Sequence, residues 1–118
     1  MNKEDLIGKS IVVGFTYYSE SGDYLDQTQF HGTIVDADEN KGVRVFDEHS
    51  KEERTLPPRL DAIFPALPGL YREYTTDETI EDPDFISLWH VTKVPGSNDN
   101  WEWVPSKVDL EVKQKHAE

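Results

Sequence analysis

Asp36, Asp38 and Asn40 stand at alternate positions ahead of a glycine in VDADENKGVRV, the way a calcium loop begins. A calcium loop of the helix-loop-helix kind takes oxygen ligands at positions one, three and five, a glycine at six and a bidentate glutamate at twelve. Here position six is Lys41, the glycine comes one place late as Gly42, and position twelve is Asp47. Both flanks read as strands. The stretch is therefore expected to form the tip of a β-hairpin, where Asp, Asn and Gly serve turn dihedrals and no metal is bound.

The other residues able to do chemistry form no recognisable constellation. His31, His49, His90 and His116 are not paired at the spacing of a metal motif. His31 and His90 fall within strand-like stretches and read as satisfied core or surface residues. The chain has no cysteine, which removes thiolate nucleophiles, disulfides and thiolate zinc sites. There is no Gly-x-Ser-x-Gly elbow and no glycine-rich phosphate loop. Among 24 acidic residues, neighbours such as Glu52 with Glu53 and Glu81 with Asp82 arise by chance and nominate no acid–base pair. No catalytic residue and no cofactor is expected, and the chain reads as a non-enzymatic protein.

Binding has more support. Residues 73–92 contain no Lys or Arg but carry Glu73, Asp77, Glu78, Glu81, Asp82 and Asp84, flanked by Tyr71, Tyr74, Phe85 and Trp89. An acidic rim beside aromatic anchors suits a basic protein surface. The candidate binding residues are Tyr74, Glu78, Glu81, Asp82, Asp84 and Trp89. Twelve basic against 24 acidic residues give a formal charge of −12. That field repels phosphate, so nucleic acid and anionic membrane are not expected partners. The N-terminus MNKEDLIGKS has no apolar signal core, and no window approaches the roughly 20 apolar residues of a membrane span. A cytoplasmic location is expected.

The elements that must position these residues read as strands throughout. Ile11, Val13, Phe15 and Tyr17 share one face of a first strand, and Phe30, Gly32 and Ile34 share a face of a second. SESGDY turns between them, which predicts a hairpin of 11–18 with 24–37. Gly14 and Gly32 inside those strands mark expected bulges or bends. A third strand is expected at 43–47, a polar turn at 48–51 and a fourth strand ending at Leu56, before Pro57 and Pro58. PPRLDAIFPALPG, at 57–69, reads as an irregular crossover that plugs one end of the core. LYREYTT is a further strand, DETIEDPD an acidic turn, and FISLWHVTKV a central strand apolar on both faces. NWEWV should pair with it, with Trp101 and Trp103 turned to the core. Residues 108–112 read as an edge strand, and a short helix is possible at residues 2–7. One all-β domain at 1–113 with a polar tail at 114–118 results, built of about six to eight short antiparallel strands with a proline-rich crossover.

The run GKSIVVGFTYY, QFHGTIVDAD, GVRV and LPPRL resembles the small SH3-like barrels, and the arrangement QFHGTI, LPP, PGLY, DPDF and Trp89 is similar to a group of small uncharacterised bacterial proteins. The resemblance implies a small SH3-like barrel or sandwich and carries no activity with it, since such barrels bind peptides, nucleic acids and proteins alike. Three functional expectations follow. The first is an acidic binding or regulatory domain for a basic protein. The second is a small enzyme or ligand binder with a pocket beside the 57–69 crossover. The third is a homodimer paired through edge strands such as 108–112, with monomer and dimer both left open.

Overall fold

The computed structural model describes residues 2–73, 76–97 and 100–106. Among these the chain is all-β, with nine strands in two sheets. The main sheet holds β1 (Ser10–Tyr18), β2 (Tyr24–Asp38), β3 (Gly42–Asp47), β4 (Glu53–Leu56), β5 (Phe64–Pro65), β8 (Phe85–Lys93) and β9 (Trp101–Pro105). The second sheet is a hairpin of β6 (Leu70–Glu73) and β7 (Glu78–Glu81). Lys3–Asp5 and Leu60–Ala62 form single 3-10 turns, so the helix thought possible at 2–7 shortens to one turn. No helix among the described residues is long and apolar enough to cross a membrane.

The four N-terminal strands form a meander whose turns follow from local sequence. Gly22 takes φ 90 between β1 and β2, where Ser19 N–H donates to the Asp23 carbonyl at 2.8 Å. Asp38 Oδ1 accepts the backbone N–H of Asn40 and Lys41 at 2.7 and 2.8 Å, and Gly42 follows at φ 108. These two backbone bonds hold the Asp38 carboxyl below its ordinary pKa, so the opening motif is an Asx turn at a hairpin tip. Bulges lie at Tyr17/Tyr18 and between Ile34 and Asp36, not at Gly14 or Gly32 as expected. The second bulge leaves Val35 without a partner in register, so Ile34 and Ala37, three residues apart, both turn inward.

Three expectations change. The strands are neither all antiparallel nor all short: β2 runs 15 residues, and β1 pairs with β8 in parallel from Ile11↔Phe85 to Tyr18↔Thr92. The sheet is mixed because β8 returns to β1 only after a long connection that takes in β2 to β7, as a parallel neighbour requires more than a tight turn. The acidic turn at 77–84 is half strand, since Glu78–Glu81 pairs with Leu70–Glu73. Within the 57–69 segment, Phe64–Pro65 adds a two-residue strand to β8, and Ala62 and Ile63 are buried in the main core. The edge strand expected at 108–112, the tail at 114–118, Tyr74 and His116 lie outside the described residues.

Both faces of the sheet carry apolar clusters. One face buries Ile11, Val13, Phe15, Phe30, Ile34, Val43, Val45, Trp89 and Val91. The opposite face holds Ile86 and Leu88 under Tyr71 of the small hairpin, with Val12, Phe64 and Ala66 packed around them. β8 thus alternates between two cores, which explains its lack of a polar face. Buried Ser87 donates to the Ala62 carbonyl at 2.9 Å and accepts the Trp89 indole N–H at 2.9 Å, leaving neither polar group unsatisfied.

Candidate functional site

The small hairpin carries Glu78 and Glu81 of the sequence-predicted binding residues, and among the described residues it shares no strand ladder with the main sheet. Its base is closed by Asp82: the Gly69 N–H donates to Asp82 Oδ1 and the Asp82 N–H donates to the Gly69 carbonyl, both at 2.8 Å. Alternation along β6 then turns Leu70 and Arg72 to solvent and Tyr71 and Glu73 onto the outer face of the main sheet. Tyr71 packs on Ile86 and Leu88, and its hydroxyl donates to the Leu67 carbonyl at 2.7 Å.

Glu73, one turn of the pleat further on, is 1% exposed and meets a histidine from the middle of β2. Its Oε2 lies 2.6 Å from His31 Nδ1, while its Oε1 is buried with no hydrogen-bond partner. His31 Nε2 faces Glu78 Oε2 at 3.6 Å, and Glu78 Oε1 lies 2.7 Å from His49 Nδ1. Carboxylate and imidazole therefore alternate from a buried end to an exposed one: Glu73 at 0% side-chain exposure, His31 at 17%, Glu78 at 40% and His49 at 57%. Both nitrogens of His31 face carboxylates, and only the imidazolium form can donate to both.

His49 is set in place by the turn between β3 and β4. Asp47, 2% exposed, accepts the His49 and Ser50 N–H groups at 2.9 and 3.2 Å and the Arg54 Nε–H at 2.8 Å. Burial pulls the Asp47 carboxyl upward, but the Arg54 guanidinium and the two backbone donors outweigh it and hold it below the ordinary carboxylate range. Arg54 in turn lies over the Phe30 ring, 5.3 Å from its centroid.

Of the six predicted binding residues, Glu78 belongs to this cluster and Glu81 is exposed on β7. Asp82 closes the hairpin base. Asp84 accepts from the Ser10 N–H at 3.0 Å and the Ser10 hydroxyl at 3.1 Å, fastening the start of β8 to the start of β1. Trp89 is 1% exposed in the main core, on the opposite face of β8 from the hairpin. Tyr74 lies outside the described residues. The predicted acids thus serve mainly as caps and internal pairs, and Trp89 has no surface to offer. Sequence reasoning passed over His31 and His49 as partners. A glutamate on the inward face of a strand beside an inward tyrosine is a signal that a donor must come from elsewhere.

The dyad of His31 and Glu73 has the carboxylate–imidazole geometry of a positioned base, yet Glu78 occupies the space before Nε2. Among the described residues no group of three or more His, Asp or Glu side chains is arranged to hold a metal ion. A cleft of about 330 Å³ lies apart from this cluster, between the 2–4 turn and the β2–β3 tip, with Lys3, Glu4, Asp38, Glu39 and Leu60 among its lining residues.

A second surface feature lies at the far end of β8. Trp101 and Trp103 share a face of β9 as expected, but each is 37% exposed and not enclosed in the core. The Trp103 ring stands edge-on to Phe15 at 5.0 Å and to Trp89 at 6.2 Å, and Trp101 stands edge-on to Tyr17 at 6.0 Å. β9 extends β8 at the margin of the sheet, so these rings are covered from one side. Across the strands Trp103 aligns with Val91, Tyr17 and then exposed Asp26, whereas Trp101 aligns with Lys93. Comparison with protein-family models, curated proteins and solved structures finds no match to this chain.

Proposed function

We propose that this is a non-enzymatic binding domain that takes a basic segment of a protein partner, in a cytoplasmic setting, with Tyr17, Trp101 and Trp103 as its anchor. The observation that carries this reading is the pair of part-exposed tryptophans on a chain of net charge −12. Aromatic anchors dominate protein interfaces, and an Arg or Lys over an indole gains about 0.5–2 kcal/mol. Asp26, aligned with Tyr17 and Trp103, would hold the partner's cation at that end of the row, while Lys93 repels it from the Trp101 end. The wider negative field, including exposed Glu81, speeds encounter. The bent β1–β2 hairpin and the β1–β4 meander support reading the main sheet as an SH3-like barrel, as the resemblance implies.

The test is tryptophan-fluorescence titration with an Arg-rich peptide at low and high salt. Affinity should fall steeply with salt, and both Trp101→Ala and Asp26→Lys should weaken it by tenfold or more without lowering Tm by more than a few degrees. Binding indifferent to salt and to both substitutions would sink the proposal. The alternative, a small-ligand binder beside the 57–69 segment, has one observation in its favour: Leu60 borders the 330 Å³ cleft. It predicts that Leu60→Arg abolishes ligand binding while Trp101→Ala leaves it intact.

A further inference from the structure

The geometry points to a pH-operated latch: protonated His31 and His49 hold the Glu73↔Glu78 end of the β6–β7 ladder against the main sheet, and deprotonation frees that end while the hairpin base stays fixed. The two ends of the hairpin are fastened by different means. At the base, Asp82 and Gly69 exchange backbone and carboxylate bonds, and Tyr71 is buried on Ile86 and Leu88. Neither contact contains a histidine. At the other end, the Glu73↔Glu78 pair is the last of the β6–β7 register, and both of its side chains end on imidazoles.

Each imidazolium carries two donors, and His31 has a carboxylate in front of each. Once it is neutral, His31 has a single proton. Buried Glu73, at 2.6 Å and with its other oxygen already without a partner, has the stronger claim on that proton. The Nε2 lone pair then faces the Glu78 carboxylate, and the attraction across that 3.6 Å becomes repulsion. The His49–Glu78 contact loses its charge at the same time, and at 57% exposure its neutral remnant competes with water.

The other charged groups near the latch are engaged elsewhere. Asp47 is held by Arg54 and the turn amides, Glu48 pairs with Lys51 at 3.5 Å, and Arg72 pairs with Asp77 on the exposed side of the hairpin. On β1 and β8, the residues beneath the hairpin are Val12, Ile86 and Leu88, which carry no charge. The two histidines are therefore the groups whose charge sets how the Glu73↔Glu78 end is held. The range to scan is roughly pH 5 to 8, where histidine as a residue type changes charge.

Amide hydrogen exchange tests this on the whole protein, as protection factors corrected for the intrinsic pH dependence of exchange. Across that range, protection at the Glu73↔Glu78 end of the hairpin should fall about tenfold as pH rises, while the Leu70↔Glu81 end and the β1–β2 ladder keep theirs. Glu78→Gln places an amide that can donate to neutral His31, so its hairpin protection should be flat across the range; at 40% side-chain exposure, residue 78 should accept this near-isosteric change without loss of the fold. A wild-type Glu73↔Glu78 end with constant protection, a fall shared equally by the β1–β2 ladder, or a Glu78→Gln variant that keeps the wild-type pH dependence would each overturn the latch.

Discussion

Gly32 is where the fold leaves least room, and replacing it by alanine gives the sharpest test of the sheet geometry. A Cβ built on Gly32 stands 1.7 Å from the Phe46 carbonyl oxygen and 2.8 Å from its carbon. Both are backbone atoms of the neighbouring strand, held in the Gly32↔Asp47 register and by the Glu48 N–H donating to the His31 carbonyl at 3.0 Å. Restoring an ordinary contact of about 3.5 Å demands that β2 and β3 part by roughly 1.5–2 Å, which breaks the ladder bonds there. One lost backbone bond costs about 1–3 kcal/mol, and overpacking adds about 1–3 kcal/mol, so Gly32→Ala should cost about 3–5 kcal/mol. At roughly 4 °C per kcal/mol for a domain of this size, Tm falls by about 12–20 °C. Gly14→Ala supplies the internal control. Its Cβ meets only Leu88 Cδ2, at 2.9 Å, the end of a side chain that can rotate away, so its cost should stay within about 1 kcal/mol. Urea denaturation and calorimetry of the two variants read both numbers. A Gly32→Ala variant within about 1 kcal/mol of wild type, or a Gly14→Ala variant the less stable of the two, would refute the reasoning.

Further outcomes follow from the turns. Asp47 has a lowered carboxyl pKa in the folded chain, so its contribution is present above the unfolded value and is lost as pH falls through the folded one. Asp47→Asn should therefore lie about 2 kcal/mol below wild type at pH 7, with the gap closing in acid; a gap unchanged down to about pH 2 contradicts the assignment. Asp38→Ala should lower Tm by removing the acceptor for Asn40 and Lys41, and calcium should leave the wild-type Tm where it is. A calcium-dependent rise in Tm would restore the ion-loop reading of residues 36–47.

What could be read from the sequence was local. SESGDY and DENKG announced their hairpins because Gly22, Asp38 and Gly42 act within four residues of themselves, and the alternation from Ile11 to Tyr17 named its buried face correctly. The parallel pairing of β1 with β8 joins residues 74 apart, such as Ile11 with Phe85, and no turn chemistry encodes it. β7 escaped notice since Glu78–Glu81 holds a single apolar residue, Ile80, and takes its form from β6. The polar cluster was illegible for the same reason: His31, His49, Glu73 and Glu78 come from β2, a turn, β6 and β7. The tryptophans of β9 were placed on the right face but at the wrong depth, because alternation tells direction and says nothing of how far a strand sits from the sheet margin.

The parallel β1–β8 pairing also sets an order of events during synthesis. A ribosome delivers β1 to β4 as a contiguous antiparallel meander that can form as it emerges, yet one whole edge of β1 waits for a partner that is translated more than sixty residues later. Until Phe85–Lys93 appears, Ile11, Val13 and Phe15 lack the strand that covers their flank, and β1 presents unpaired N–H and C=O groups to any other chain. Nascent chains of this protein are most vulnerable to edge-to-edge association in that interval, and a truncation ending before residue 85 should aggregate although its four-stranded meander is intact.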